Sequence, residues 1–110
     1  MARRLIWSLA AVDDLQSIAE YIERDSPHYA AAVVGKIVAL ARSLPRHPKL
    51  GRVVPEFARD DVRERFVYSY RVIYQVQDEV LVMVNVIHGR RRYEPDPSAL
   101  PGVADLHPPK

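Results

Sequence analysis

The sequence predicts an α+β fold: an N-terminal strand and an antiparallel helical hairpin packed on a twisted antiparallel β-sheet of about three to four strands. Three observations lead there. Apolar residues recur twice at helical spacing before residue 45, the two stripes are separated by only a short Ser-Pro turn, and residues 62–87 switch to the alternating or continuous apolar pattern of strands.

Residues 3–8, "RRLIWS", read as a short strand whose last residue, Ser8, can cap a helix with Asp13 and Asp14 near its positive end. Leu15, Ile18, Ala19 and Ile22 then mark one face of a helix over about residues 9–24. In "RDSPHY", Ser26 fits an N-cap and Pro27 the first helical position, where a missing N–H is harmless. Ala30, Val34, Ile37, Val38, Ala41 and Leu44 form the second stripe, which Pro45 ends, and the three alanines of "YAAAVV" would let the helices approach closely. Three prolines and a glycine over residues 44–61 demand an ordered loop, with a short strand at 52–54, in which Gly51 would supply a positive φ and Pro55 stiffen the exit.

"VRERFVYS" alternates roughly, and in the next strand Tyr70, Val72, Tyr74 and Val76 share a face opposite Arg71, Ile73 and Gln75. Gln77-Asp78-Glu79 suits a hairpin turn. Residues 80–87 are apolar on both parities, as in a central strand covered on both faces. The far face of the sheet should be only partly covered.

At 110 residues, 48% hydrophobic and 27% charged, the chain has the balance of one globular domain, read as residues 1–94, followed by a proline-rich tail over 95–110 that should be extended or disordered. Cysteine is absent, which removes disulfides, thiol nucleophiles and zinc–thiolate centres. Asp13 and Asp14 interrupt the N-terminal apolar run too early for a signal sequence, and residues 80–87 are too few to span a bilayer. A soluble, cytoplasmic protein without membrane contact is expected.

The net charge of +2 hides a gradient, because residues 42–92 carry eleven basic and six acidic side chains. A polyanionic or acidic partner would meet that half. Asp60, Asp61 and Glu64 lie close together, but no second cluster completes a metal shell, so they read as solvated loop charges balancing neighbouring arginines. Neither a metal nor any other cofactor is expected. Tyr70 and Tyr74 belong with the core rather than with a base-stacking platform, and His28, His47 and His107 sit in turn or tail contexts typical of surface residues. His88 is the side chain of the basic region able to exchange a proton near neutral pH, or alternatively a strand cap bonded to backbone near Gly89.

Several linked pieces carry a family resemblance over residues 3–93: "DLQSIAEYI", "DSPHYAAAVVGKI", "HPKLGRVVPE", "RERFVYSYRVIYQV" and "VIHGRR". In that order and spacing the chain resembles the RelE/ParE superfamily of toxins from bacterial type II toxin–antitoxin systems. The resemblance implies a RelE/ParE-like fold and a growth-inhibiting toxin neutralised by a cognate antitoxin. It also implies one of two targets: DNA gyrase for a ParE-like toxin, or mRNA on the ribosome for a RelE-like, metal-independent endoribonuclease. "GRVVPE", Arg63-Glu64 and "VIHGRR" look more like the ParE-like branch. A non-catalytic binding module is the further alternative.

If the chain is a ribonuclease, the resemblance places Arg71 and Arg91 at the scissile phosphate and makes His88 a candidate acid or base. Planar guanidinium forks suit that phosphate because they grip two oxygens and stay charged. The family's lysine positions fall here on Val62 and Glu64, with Arg63 and Arg65 out of phase, and its C-terminal tyrosine position falls on Pro97. Tyr93 is the candidate substitute for that tyrosine, although the proline-rich tail argues against the helix on which the family carries it. For a target or antitoxin surface the candidates are Arg63, Arg65, Arg90, Arg92 and Tyr93. Assembly as a homodimer or as a toxin–antitoxin hetero-oligomer is compatible with so small a protein.

Overall fold

A computed structural model describes residues 2–93 and the backbone of residues 106 and 107. Strand β1 (Arg4–Ser8) leads directly into helix α1 (Leu9–Glu23), and α2 (Pro27–Ser43) follows after a tight turn. A short 3-10 turn (Leu44–Arg46) then opens a loop to β2 (Arg52–Val53), β3 (Val62–Val67), β4 (Tyr70–Val76) and β5 (Val80–His88). A two-residue strand, β6 (Leu106–His107), completes the set. The rest of the expected proline-rich tail lies outside the described residues.

Both helix starts obey their local chemistry. Ser8 Oγ accepts from the Ala11 N–H at 3.0 Å while donating to the Val84 carbonyl at 3.0 Å, so one hydroxyl caps α1 and ties it to β5. Ser26 Oγ accepts from the Tyr29 N–H, with Pro27 at the first helical position. The helices bury Ala11, Ile22, Ala30, Val33, Ile37, Ala41 and Leu44 against Leu5, Trp7, Val72, Tyr74, Leu81 and Met83 of the sheet. Val33, rather than Val34, is the fully enclosed valine of α2, and of the three alanines only Ala30 is buried; Ala31 and Ala32 face solvent.

The sheet has the order β2-β3-β4-β5-β1-β6 and is mixed, not purely antiparallel, because β1 lies parallel to β5 while the remaining pairs are antiparallel. It also has more strands than expected: β1 joins the sheet, and the two-residue strands β2 and β6 extend it. A five-residue strand carries no local record of its partner, and β1's burial on both faces is the pattern of an interior, parallel-paired strand. Beyond Trp7–Met83 the ladder stops, so the free edge of β5 must be satisfied otherwise. Asp14 on α1 does this, its Oδ2 accepting from the Val86 N–H and the Asn85 amide at 2.9 Å each. At the same place a bulge leaves Val84 without a Cα partner between Ile73–Asn85 and Tyr74–Met83. On the far face Val54, Phe57, Val62, Ile73, Val84 and Ile87 form a second buried cluster, with Tyr93 against it.

The loop before β3 is pinned by one buried phenol. Tyr74, with no solvent exposure, accepts from the Gly51 N–H at 2.9 Å and donates to the Pro48 carbonyl at 2.7 Å. Gly51 is required there for closeness and not for a positive φ, which no described glycine adopts. A Cβ on it would strike the Glu64 carbonyl and approach the Tyr74 hydroxyl to 2.8 Å. We expect Gly51→Ala and Tyr74→Phe each to cost about 2 kcal/mol in urea unfolding, by overpacking and by orphaning two backbone groups respectively. Because both changes break one contact, the double variant should lose less than the sum of the two.

Candidate functional site

Arg71 points away from the helices, its neighbours across the ladders being Phe66 and Ile87. It is 7% exposed and is gripped from two sides. Its Nε donates to Glu64 Oε1 at 2.6 Å, while both terminal nitrogens reach the Glu56 carboxylate at 2.8 Å in a fork-to-fork pair. Glu64, itself 1% exposed, takes a second arginine: Arg52 Nε donates to its Oε2 at 2.8 Å. The expectation of Glu64 as a solvated loop charge is therefore corrected. It shares inward strand parity with the buried Val62, and that parity is the sequence signal that marks it. Glu56, in the "GRVVPE" stretch, had no such signal.

Mutual stabilisation follows. Hydrogen bonds from the Arg71 guanidinium hold the Glu56 carboxyl below its ordinary value of 4.5, against the opposing effect of burial. Glu56 and then Glu64 in turn hold Arg71 firmly charged. Tyr93 lies over the same guanidinium, its ring centroid 5.5 Å from the carbon, and packs at 6.0 Å on Phe57. Burial pushes its phenol up to about 12, so it remains a neutral hydrogen-bonding group, with its hydroxyl 3.3 Å from Asn85 Oδ1.

Arg63 and Arg65 pair with Tyr74 and Val72 across the ladder, on the helix side of the sheet and opposite to Arg71. Both fasten the loop: Arg63 donates to the Gly51 carbonyl at 2.9 Å and to Asp60 Oδ1 at 2.6 Å, and Arg65 to the Leu50 carbonyl at 3.1 Å. Arg90, Arg91 and Arg92 are exposed just past β5. His88 is adjacent to Ile87, so it too faces away from Arg71; its ring stands edge-on to Tyr70 at 5.5 Å, and its Nδ1 accepts from the Arg90 N–H at 3.1 Å. Arg71 and Tyr93 thus come together, His88 stands on the opposite side of the sheet, and Arg91 joins neither through any hydrogen bond of its side chain. No group of three or more histidine or acidic residues suited to a metal occurs among the described residues.

Removing one member of the buried set should be worse than replacing a pair. Glu64→Gln is expected to cost about 3 kcal/mol by leaving guanidinium charge undercompensated, whereas Glu64→Leu with Arg71→Met should be nearly neutral in the same urea titration. The Glu56 contribution should be fully present above its unfolded value of 4.5 and fade as pH falls through the lower folded value. Glu56→Gln should flatten that acid limb of stability against pH, and an unchanged limb would show that the clamp does not act.

Comparison with known proteins agrees with this architecture. Residues 5–93 match the family model described as the ParE toxin of the type II toxin–antitoxin system parDE. The chain is 30% identical over 88 residues, or 80% of its length and 97% of the relative's, to Toxin RelE2 of Caulobacter vibrioides. It is 40% identical over 50 residues to a putative toxin, Y4kP, of Sinorhizobium fredii, spanning 46% of this chain and 52% of that one. Among solved structures, a chain of the chromosomal ParDE system from P. aeruginosa superposes with a TM-score of 0.66 at 20% identity, over 79% of this chain and 96% of that one. A chain of the toxin–antitoxin complex RelBE2 from Mycobacterium tuberculosis does so with a TM-score of 0.57 at 19% identity, over 80% and 99%. With its helical hairpin laid on the β2-to-β1 sheet and the family model matched almost from end to end of the described fold, the chain belongs to the ParE toxin family of type II toxin–antitoxin systems.

Proposed function

We propose that the protein inhibits growth by binding and poisoning DNA gyrase in the cytoplasm, and that a cognate antitoxin neutralises it. The observation that carries this reading is the occupation of Arg71. Metal-independent RNA cleavage needs a proton acceptor, a proton donor and a cation converging on one phosphate. Here the cation already holds two carboxylates, and His88 lies across the sheet from it. Three exposed arginines in a row, Arg90, Arg91 and Arg92, extend from the central strand β5 as a rim suited to an acidic protein surface. The ParE match and the ParDE structural likeness favour the same branch.

A RelE-like ribonuclease is the second reading, favoured by the relative named Toxin RelE2 and by the contact of Arg71 with Tyr93. In that case Arg71 would have to exchange Glu56 for phosphate. Purified chain should block gyrase supercoiling and leave mRNA intact on programmed ribosomes. Arg90→Ala with Arg91→Ala should weaken the gyrase effect on the order of tenfold, as expected for exposed charges that steer association. Site-specific mRNA cleavage abolished by Tyr93→Phe, with supercoiling unaffected, would reverse the assignment.

A further inference from the structure

The helix-facing end of the sheet holds a pocket of about 250 Å³ that no arginine lines. Tyr21 and Asp25 wall it from the end of α1 and the turn after it, Tyr29 from α2, Tyr68 from the β3–β4 turn, and Tyr70 and His88 from the sheet. Tyr21, Tyr29 and Tyr68 are 67%, 47% and 50% exposed, a concentration of large rings in water. Tyr29 and Tyr68 meet edge to face at 5.9 Å, presenting ring faces rather than one closed stack.

Tyr68 stands out further. Its φ is 53° at the first position of a two-residue hairpin turn, where glycine is the favoured residue. A bulky side chain kept in that conformation is a strain of about 1 kcal/mol that invites a reason outside backbone geometry. One reason is already visible: the Lys36 ammonium sits 5.5 Å from the Tyr68 ring centroid, so this ring face attracts cations.

The formal charge on the lining residues themselves is negative, with the Lys36 ammonium beside them over the Tyr68 ring. Asp25 is the formally charged residue of the lining, and its carboxylate has no hydrogen bond or ion pair with another described residue. Glu20 and Glu23 on the last turns of α1 outnumber Arg24 beside them. Burial, then the neighbouring Tyr29 and Tyr21 phenols, keep the Tyr70 phenol neutral, so it offers an oxygen and not a negative charge. The volume falls below the roughly 300 Å³ at which cofactor pockets begin and suits a single long side chain.

We propose that this pocket receives one basic side chain, an arginine or a lysine, from a protein partner, held between tyrosine faces and the Asp25 carboxylate. The inference goes beyond the toxin reading and does not depend on which target that reading names. An acidic segment would be drawn instead to Arg90–Arg92, which begin two residues past His88.

The test uses the full chain, isotope-labelled for NMR, titrated with capped alanine pentapeptides carrying arginine, leucine or glutamate at the centre, and separately with uridine 5′-monophosphate. The arginine peptide should shift the resonances of Tyr21, Tyr29 and Tyr68 at about fivefold lower concentration than the leucine or glutamate peptide. Asp25→Asn should erase most of that preference. Tyr68→Gly relaxes the turn, so it should keep or raise Tm while losing the arginine response, which separates loss of the site from loss of the fold. Equal response to leucine and arginine, a preference for glutamate, saturation by the nucleotide in place of the peptide, or no shift with any probe would each overturn the proposal.

Discussion

A carboxylate with almost no access to water, Glu64, governs much of this structure. Such a charge is tolerable only where opposite charge and hydrogen bonds surround it, and Arg52 and Arg71 supply both. Arg52 and Arg71 together carry more positive charge than Glu64 can balance alone, and Glu56 completes the set from the loop. The arrangement fixes the register of three strands, because a slip by one residue would turn Glu64 into the apolar cluster beneath the helices. It also fastens the 54–57 segment, whose Val54 and Phe57 roof the far face of the sheet.

Strand alternation is the second constraint, and it sorts the basic residues by use. Side chains at Arg63 and Arg65 come out on the helix side and spend their donors on loop carbonyls. Arg71 comes out on the other side into the acidic clamp. Arg90, Arg91 and Arg92 are exposed after β5, where no ladder dictates a face, and Arg42, Arg46, Lys49, Arg52, Arg59 and Arg65 are exposed as well.

The helical hairpin was legible because its signals are local: Ser8 and Ser26 as caps, Pro27 at the first position of α2, and apolar residues at helical spacing. Strands β3 to β5 were legible for the same reason, through alternation and the Gln77–Glu79 turn. The parallel pairing of β1 with β5 was not, since it joins residues more than seventy apart with no turn between them to declare it. The site was less readable than the fold. Arg71 was found as a notable arginine, but its partners lie 7 and 15 residues upstream and only the folded loop brings Glu56 to it. Gly51 was singled out with the wrong cause, because close approach to a neighbouring strand leaves no trace in a single sequence while turn chemistry does.

Two surfaces of opposite electrostatic character meet where β5 ends. His88 lines the tyrosine pocket beside the uncompensated Asp25, and two residues later the chain emerges as three consecutive arginines. The strand holds this boundary rigid: the Asp14 carboxylate secures its free edge at Val86, and Tyr70 backs its last residue, His88. A ligand of uniform charge would gain at one of these surfaces and lose at the other, so nucleic acid, with phosphate at every step, is a poor match for the combined face. A polypeptide can place a basic residue and acidic residues within a few positions of each other. Complementarity of that kind contributes more to choosing among partners than to raw affinity.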